Sequence, residues 1–332
     1  MRILKVLVIG VILILAGAVI TIFINGSQAI KSDEEVIIRF AHGQPETNDR
    51  HKAVVRFKEL IEEKSDMKVY IYPNEQLGSE AEMIESVSLD DLQMVAASAF
   101  SQYDSTISMF HLPYLFETYE EAWSVLDGPI GEEAAEPLLE DNLRVISYFE
   151  NGFRHVSANR PIETPEDFEG LKIRTPEFPI SLSTFNSLGA NPTPMAFGEL
   201  YMALQQGTVD AQENPVANLN SSKFYEVQKY LSLTRHQYMP LPVAISDEFW
   251  KGLTSEQQKI VQGSADEAAQ YHRNLIVNNE EEIMNDIQKE GMEIIHPDTE
   301  AFKEMTKGVH DSFRKRYGGE LLDKTLKDLD RE

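Results

Sequence analysis

Val36-Ile37-Ile38-Arg39-Phe40, stopped by the turn His42-Gly43-Gln44-Pro45, opens the pattern of strands and helices that decides the fold of this chain. From Arg50 to Lys64, Val54, Phe57, Leu60 and Ile61 recur on one face at helical spacing. Val69-Tyr70-Ile71-Tyr72 then reads as a second strand ended by Pro73-Asn74, Glu80 to Ser88 as a helix, and Leu92-Gln93-Met94-Val95-Ala96 as a third strand. Strands alternating with helices at this spacing predict βαβ units in a mostly parallel sheet with right-handed crossovers. Ligands collect beyond the carboxyl ends of such strands, which puts His42 and Ala97-Ser98-Ala99 where a site belongs.

A second α/β set begins after Arg144-Val145-Ile146-Ser147-Tyr148-Phe149. It holds the strand Leu171-Lys172-Ile173-Arg174, a helix from Ile180 to Leu188 closed by Gly189, and a helix from Phe197 to Gln206 closed by Gly207. Glycine just past a helix supplies the left-handed residue of a C-cap. Thr208-Val209-Asp210-Ala211-Gln212 re-enters a strand. From Thr254 to Glu290 there is no proline, and Thr254-Ser255-Glu256-Gln257 is a capping box. A helix of that length runs about 54 Å, longer than a small domain is wide, so it is expected to brace both sets. No flexible linker separates them, so the chain crosses between two α/β domains more than once, and the crossing makes a hinge.

The chain has 332 residues, enough for two domains that each bury a core. Its 30 Lys and Arg stand against 55 Asp and Glu, a net charge of −25. That balance argues against nucleic acid, whose binding depends on cations meeting phosphates, and against a polybasic grip on anionic lipid. A small anionic ligand remains compatible, because nearby charges set the field in a pocket. With no cysteine, disulfides, thiolate catalysis and cysteine zinc sites are excluded. Arg2 and Lys5 precede Val6–Ile24, a stretch without a charge. Positive residues ahead of an apolar run send the rest of the chain across the membrane. Residues 1–29 are therefore expected to be a signal peptide, with Ser27-Gln28-Ala29 as its cleavage region, or a retained signal-anchor. Either places the working part outside the cytoplasm.

Familiar catalytic patterns are missing: there is no G-x-G-x-x-G, Walker loop, H-E-x-x-H or G-x-S-x-G. The eight histidines show no metal-ligand pair on one helix, and Asp90-Asp91 reads as a solvated turn. The chain is expected to be a binder, not an enzyme, and no cofactor is implied. Arg154, after Asn151-Gly152-Phe153, and Arg174, in Gly170-Leu171-Lys172-Ile173-Arg174-Thr175-Pro176, fall at strand ends of the second set. A guanidinium grips a carboxylate through two parallel hydrogen bonds, which lysine does not match. A surface or interdomain salt bridge is the other reading of each.

The stretch from Asn191-Pro192-Thr193-Pro194 through Leu200-Tyr201-Met202-Ala203-Leu204 to Ala211-Gln212-Glu213-Asn214-Pro215 resembles the signature of DctP-type solute-binding proteins of tripartite ATP-independent periplasmic (TRAP) transporters. Supporting blocks are Tyr72–Gly78, Gly170–Pro176, Lys223–Lys229 and Tyr271-His272, and the likeness covers about residues 36–315. It implies a two-domain, periplasmic-binding-protein-like α/β fold, with a ligand cleft between hinged domains and a long helix spanning both. The expected division is 30–151 plus about 240–279 for the first domain, and 152–239 plus about 280–332 for the second. The resemblance assigns Arg174 to the ligand carboxylate, Arg154 to a second cleft position, Asn214 to a carboxamide contact and Phe197 to aromatic packing. His42, Glu80 and Ser98 occupy ligand-facing loops of the first domain, although Glu80 alternatively caps its helix. The sialic-acid branch carries Glu and Arg near Ser98, where this chain has Ala97 and Phe100. That departure favours a C4-dicarboxylate or a hexuronate. The implied partners are a small organic acid and membrane permease subunits, with the protein itself monomeric. A membrane-tethered sensor with the same pocket is the alternative.

Overall fold

The computed structural model describes residues 35–331. The expectation for residues 1–29 lies outside them. Among the described residues, no helix is long and apolar enough to cross a membrane.

Among the described residues, nine strands form one sheet: β1 Ile37–His42, β2 Lys68–Tyr72, β3 Met94–Ala96, β4 Leu143–Ala158, β5 Lys172–Thr175, β6 Asn191–Pro194, β7 Ala211–Asn214, β8 Tyr230–Ser246 and β9 Glu293–Ile295. Their order is β2-β1-β3-β8-β4-β7-β5-β6, with β9 on β8. The first set, β2-β1-β3, is parallel as the βαβ spacing predicts, and so are β5-β6 and β5-β7 in the second. The sheet as a whole is mixed, because β4 and β8 run antiparallel to one another along almost their whole lengths. One end of β8 pairs β3 through Met94↔Ile245, and β4 at its far end pairs β7 through His155↔Asn214. These two strands therefore thread both sets. Register shifts interrupt their ladder at Glu150/Gly152 and Arg154/Val156, near its middle.

Helices cover the sheet where apolar periodicity puts them. Helix Asp49–Lys64 buries Val54, Phe57, Leu60 and Ile61, and Phe57 meets Phe40 of β1 edge-on at 5.4 Å. Helix Ser255–Lys289 starts at the Thr254/Gln257 capping box. It packs on helix Asp49–Lys64, on β4, on helix Val216–Ser221 and on β9, so it braces both sets. The expected helix from Phe197 splits into a 3-10 turn, Phe197–Glu199, and helix Leu200–Gln205. Gly189 and Gly207 take positive φ, at 82° and 69°.

One apolar cluster joins Met83, Val95 and Leu126 of the first set to Phe313 and Leu322 near the C-terminus. The last helix, Glu320–Asp328, thus packs beside Pro129–Ala135, although the sequence division runs 280–332 with the second set. Second-set cores gather Ile173, Phe185 and Phe302, and separately Leu204, Val209 and Phe224.

Candidate functional site

A solvent-open cavity, with about 550 Å³ of unfilled space counting its open mouth, lies between the two sets. Asn151 and Arg154 of β4 and Met239 of β8 contribute to its lining, so the crossing strands form part of its wall. Of the residues singled out in the sequence, Arg174, Arg154, Asn214, Phe197, Glu80 and Ser98 all line it, and His42 does not.

Arg174 stands next to last in β5 and is 3% exposed. Its Nε and Nη2 donate to the Met195 carbonyl at 2.9 and 2.6 Å, while Nη1 makes no hydrogen bond among the described residues. The Phe197 ring lies 5.9 Å from the guanidinium carbon. No carboxylate among the described residues forms an ion pair with it. Burial holds its pKa down to about 10, with Arg154 pushing the same way against the pull of Glu213 and the smaller pulls of Glu75 and Glu80. A buried cation without a counter-ion is costly, and a carboxylate in the cavity would supply one.

Arg154 has the opposite surroundings. It is 2% exposed, and its Nε and Nη2 hold both oxygens of fully buried Glu213, the Nη2 bond being 2.8 Å. Nη2 also reaches the Asn214 Oδ1 at 3.3 Å. Burial alone would raise the Glu213 carboxyl, but Arg154 and the hydrogen bond from His236 outweigh it and draw the pKa to about 2. The salt-bridge reading thus describes Arg154, whose charge is matched inside the second set. It does not describe Arg174. Asn214 donates to Gln212 Oε1 at 2.6 Å and accepts from Asn218 at 3.2 Å, which fixes its carboxamide at the cavity wall.

Across the cavity, Ser79 and Glu82 make the capping box of helix Glu80–Ser88, which frees Glu80 from that task. Glu80 Oε1 accepts from Arg50 at 2.8 Å, and its Oε2 accepts from the Ser98 amide and hydroxyl, both at 2.8 Å. Burial would raise Glu80, yet Arg50 and Ser98 bring its pKa below the ordinary carboxylate value. Arg50 also donates to Asn151 at 3.2 Å. Arg50 was not singled out in the sequence, where it is one charge at a helix start. The available signal was its place on the face that carries Val54, Phe57 and Ile61. Glu75, equally unremarked, sends Oε2 to the Gly198 amide at 3.0 Å and so links the two sets over the cavity.

His42 is fully buried on the β1 face covered by helix Asp49–Lys64, the side that Phe40 also takes. Its Nε2 shares a 3.1 Å hydrogen bond with His51, and its Nδ1 accepts from the Gln44 amide. Burial first, then Arg50, lowers its pKa well below the usual value. Gln44, two residues further on and past the end of β1, lines the cavity. Among the described residues, no group of three or more His, Asp or Glu side chains has the geometry to hold a metal.

Two α/β sets joined by shared strands, with a polar cavity between them and, in its wall, a buried arginine that has no ion pair among the described residues, define a cleft-type ligand-binding protein. The sequence profile described as "Bacterial extracellular solute-binding protein, family 7" (DctP) matches residues 40–316. This chain belongs to that family, whose members are periplasmic substrate-binding proteins of transport systems. The 2,3-diketo-L-gulonate-binding periplasmic protein YiaO of Escherichia coli K12 is 36% identical over 294 residues, 86% of this chain and 90% of that protein. The C4-dicarboxylate-binding periplasmic protein DctP of Rhodobacter capsulatus is 32% identical over 298 residues, 87% and 90% of the two chains. A TRAP periplasmic solute-binding protein from Polaromonas sp. JS666, solved with bound D-erythronate, aligns with a TM-score of 0.85 at 33% identity. That alignment covers 88% of this chain and 98% of the other.

Proposed function

We propose that this protein captures an organic acid outside the cytoplasm and delivers it to the membrane permease of a TRAP transporter. The observation that carries the reading is Arg174, a nearly solvent-free guanidinium that faces the cavity and forms no ion pair among the described residues. Diketogulonate, erythronate and C4-dicarboxylates, the ligands of the three relatives, share the one group that would complete it. In this reading the ligand carboxylate meets Arg174 Nη1 and the Asn214 carboxamide, Phe197 packs on it, and Glu80, Ser98 and Arg50 close from the first set. Closure removes water, so the ion pair strengthens in a less polar surrounding. Micromolar binding needs only about −8 kcal/mol net, within reach of one charge pair, a few hydrogen bonds and an aromatic contact.

The hinge in this scheme is the crossing of β4 and β8, between lobes of 30–151 plus about 240–279 and 152–239 plus about 280–332, with the last helix on the first lobe. Export through residues 6–24, by cleavage or by retention as an anchor, and a monomeric working form complete the proposal. The ligand leaves chemically unchanged. Arg174→Ala should weaken organic-acid binding by about 2–5 kcal/mol, the usual loss when one partner of a buried charge pair is truncated. Calorimetric titration of an acid recovered from the purified protein checks this, and wild-type affinity in the variant would end the assignment.

A further inference from the structure

The charged groups around the cavity pair off unevenly. Arg154 is matched by Glu213 and Arg50 by Glu80, which leaves Arg174 as the cation available to a ligand. One such cation suits one carboxylate. On the first-set side Glu75 lines the same cavity, forms no ion pair among the described residues, and receives one hydrogen bond, from Gly198. Its Oε1 makes none among those residues. The backbone at Glu75 has a φ of 55°, in the left-handed region that favours glycine. A carboxylate held at a position glycine would occupy with less strain implies that the side chain does something there. Gly198 is fitted to it, since a Cβ at residue 198 would collide with Glu75 Oε2.

We propose that Glu75 sets the ligand class, selecting polyhydroxylated monocarboxylates of the aldonate and uronate type over dicarboxylates. It would do so by accepting a ligand hydroxyl and repelling a second carboxylate. The proposal rests on the capture reading above and sharpens it. Glu80 cannot take the acceptor role, because Arg50 and Ser98 already occupy both its oxygens. A dicarboxylate held by Arg174 would bring its second charge towards Glu75 and Glu80 and find no other unmatched guanidinium among the described residues that line the cavity. Burial and the adjacent Glu80 raise the Glu75 carboxyl to about 7, against the pull of the Gly198 amide, Arg174 and Arg50. Repulsion of a dicarboxylate should therefore grow as pH rises past neutrality.

The test is calorimetric titration of the purified protein, Glu75→Gln and Glu75→Gly with galactonate, galacturonate, succinate and fumarate at pH 6 and pH 8. Circular dichroism would show that both variants are folded. At pH 8 the wild type should prefer the sugar acids by on the order of 100-fold, the penalty expected for like charges brought together in a closed site. Both variants should shrink that preference by about tenfold or more, mainly through tighter succinate, and Glu75→Gln should lose its pH dependence. Wild-type preference for succinate, or an unchanged ratio in both variants, would overturn the role of Glu75 while leaving organic-acid capture standing if Arg174→Ala abolishes that binding. Failure of the wild type to bind any of the four acids would overturn the role of Glu75, and would remove the capture reading as well if no organic acid is recovered from the purified protein.

Discussion

Two arginines a few ångströms from one cavity show how little residue type says without its counter-ion. Glu213 fully neutralises Arg154, and the pair is part of the folded second set. Removing one partner of such a buried pair strands a charge, so Glu213→Gln should cost about 3–5 kcal/mol in ligand-free urea denaturation. Arg174 reverses the expectation. Its pKa of about 10 lies some two to three units below the ordinary guanidinium value, a strain of about 3 kcal/mol at roughly 1.4 kcal/mol per unit. The hydrogen bonds to Met195 offset part of that strain. Ligand-free Arg174→Ala should therefore stay within about 1 kcal/mol of wild type, far from the loss in Glu213→Gln. Equal destabilisation of the two variants would contradict this account. Arg174 and Asn214 were legible because each lies at a strand end within a distinctive block. Arg154 was legible from its Asn151-Gly152-Phe153-Arg154 block, but it does not end its strand as expected, because β4 runs on to Ala158. Their pairings were not, since the side chains meet through register: Arg154 reaches the neighbouring strand's Glu213 because β4 pairs β7. No one-dimensional pattern records that.

Among the elements, helices Asp49–Lys64, Glu80–Ser88, Pro179–Ser187 and Ser255–Lys289 were readable from apolar spacing, a capping box or a terminal glycine, each a local signal. Helices Tyr119–Leu126, Thr299–Tyr317 and Glu320–Asp328 were not singled out. Nor was the long strand β8. It carries Arg235, His236 and Gln237 and then Pro240 and Pro242, and proline usually argues against a central strand. The structure explains the exception. Between the stretches paired with β9 and β3, β8 has only β4 beside it, so a proline there interrupts at most one ladder. His42 misled for a related reason, since being at a strand's carboxyl end does not say which face the side chain takes. Opposite the prolines, β4 bulges at Gly152, where φ is 99° and an added Cβ would lie 3.3 Å from the Tyr119 hydroxyl. Gly152→Ala must strain this crossing and should cost about 1–3 kcal/mol. Chemical denaturation measures the loss, and a stability equal to wild type would mean that the bulge relaxes freely.

The molecule as a whole buries an unusual set of titratable groups, and their balance fixes how its stability responds to acid. His42, His111, His155, His236 and His272 are buried, and burial lowers the pKa of each, to about 3 for His111 and His272. The unfolded chain takes these protons near pH 6.5 while the folded protein refuses them. Between pH 6.5 and about 3 the unfolded state therefore binds more protons, and stability falls as pH falls. Glu75 and Glu150 act in the other direction, because burial lifts both to about 7. The folded protein keeps their protons after the unfolded carboxyls lose them near 4.5, so these two remove stability as pH rises from 4.5 to 7. Burial lowers His51 and His310 as well and raises Asp266 and Glu280, so seven histidines outnumber four carboxyls over pH 5 to 6.5, and stability should climb through that range. His111 isolates the cause: it stacks on Phe178 at 5.0 Å, and its buried Nδ1 has no hydrogen-bond partner among the described residues to strand. His111→Phe should spare about 2 kcal/mol of the loss between pH 6.5 and 5, read from urea denaturation at those two pH values. An acid slope as steep as that of the wild type would show that the lability comes from elsewhere in the fold.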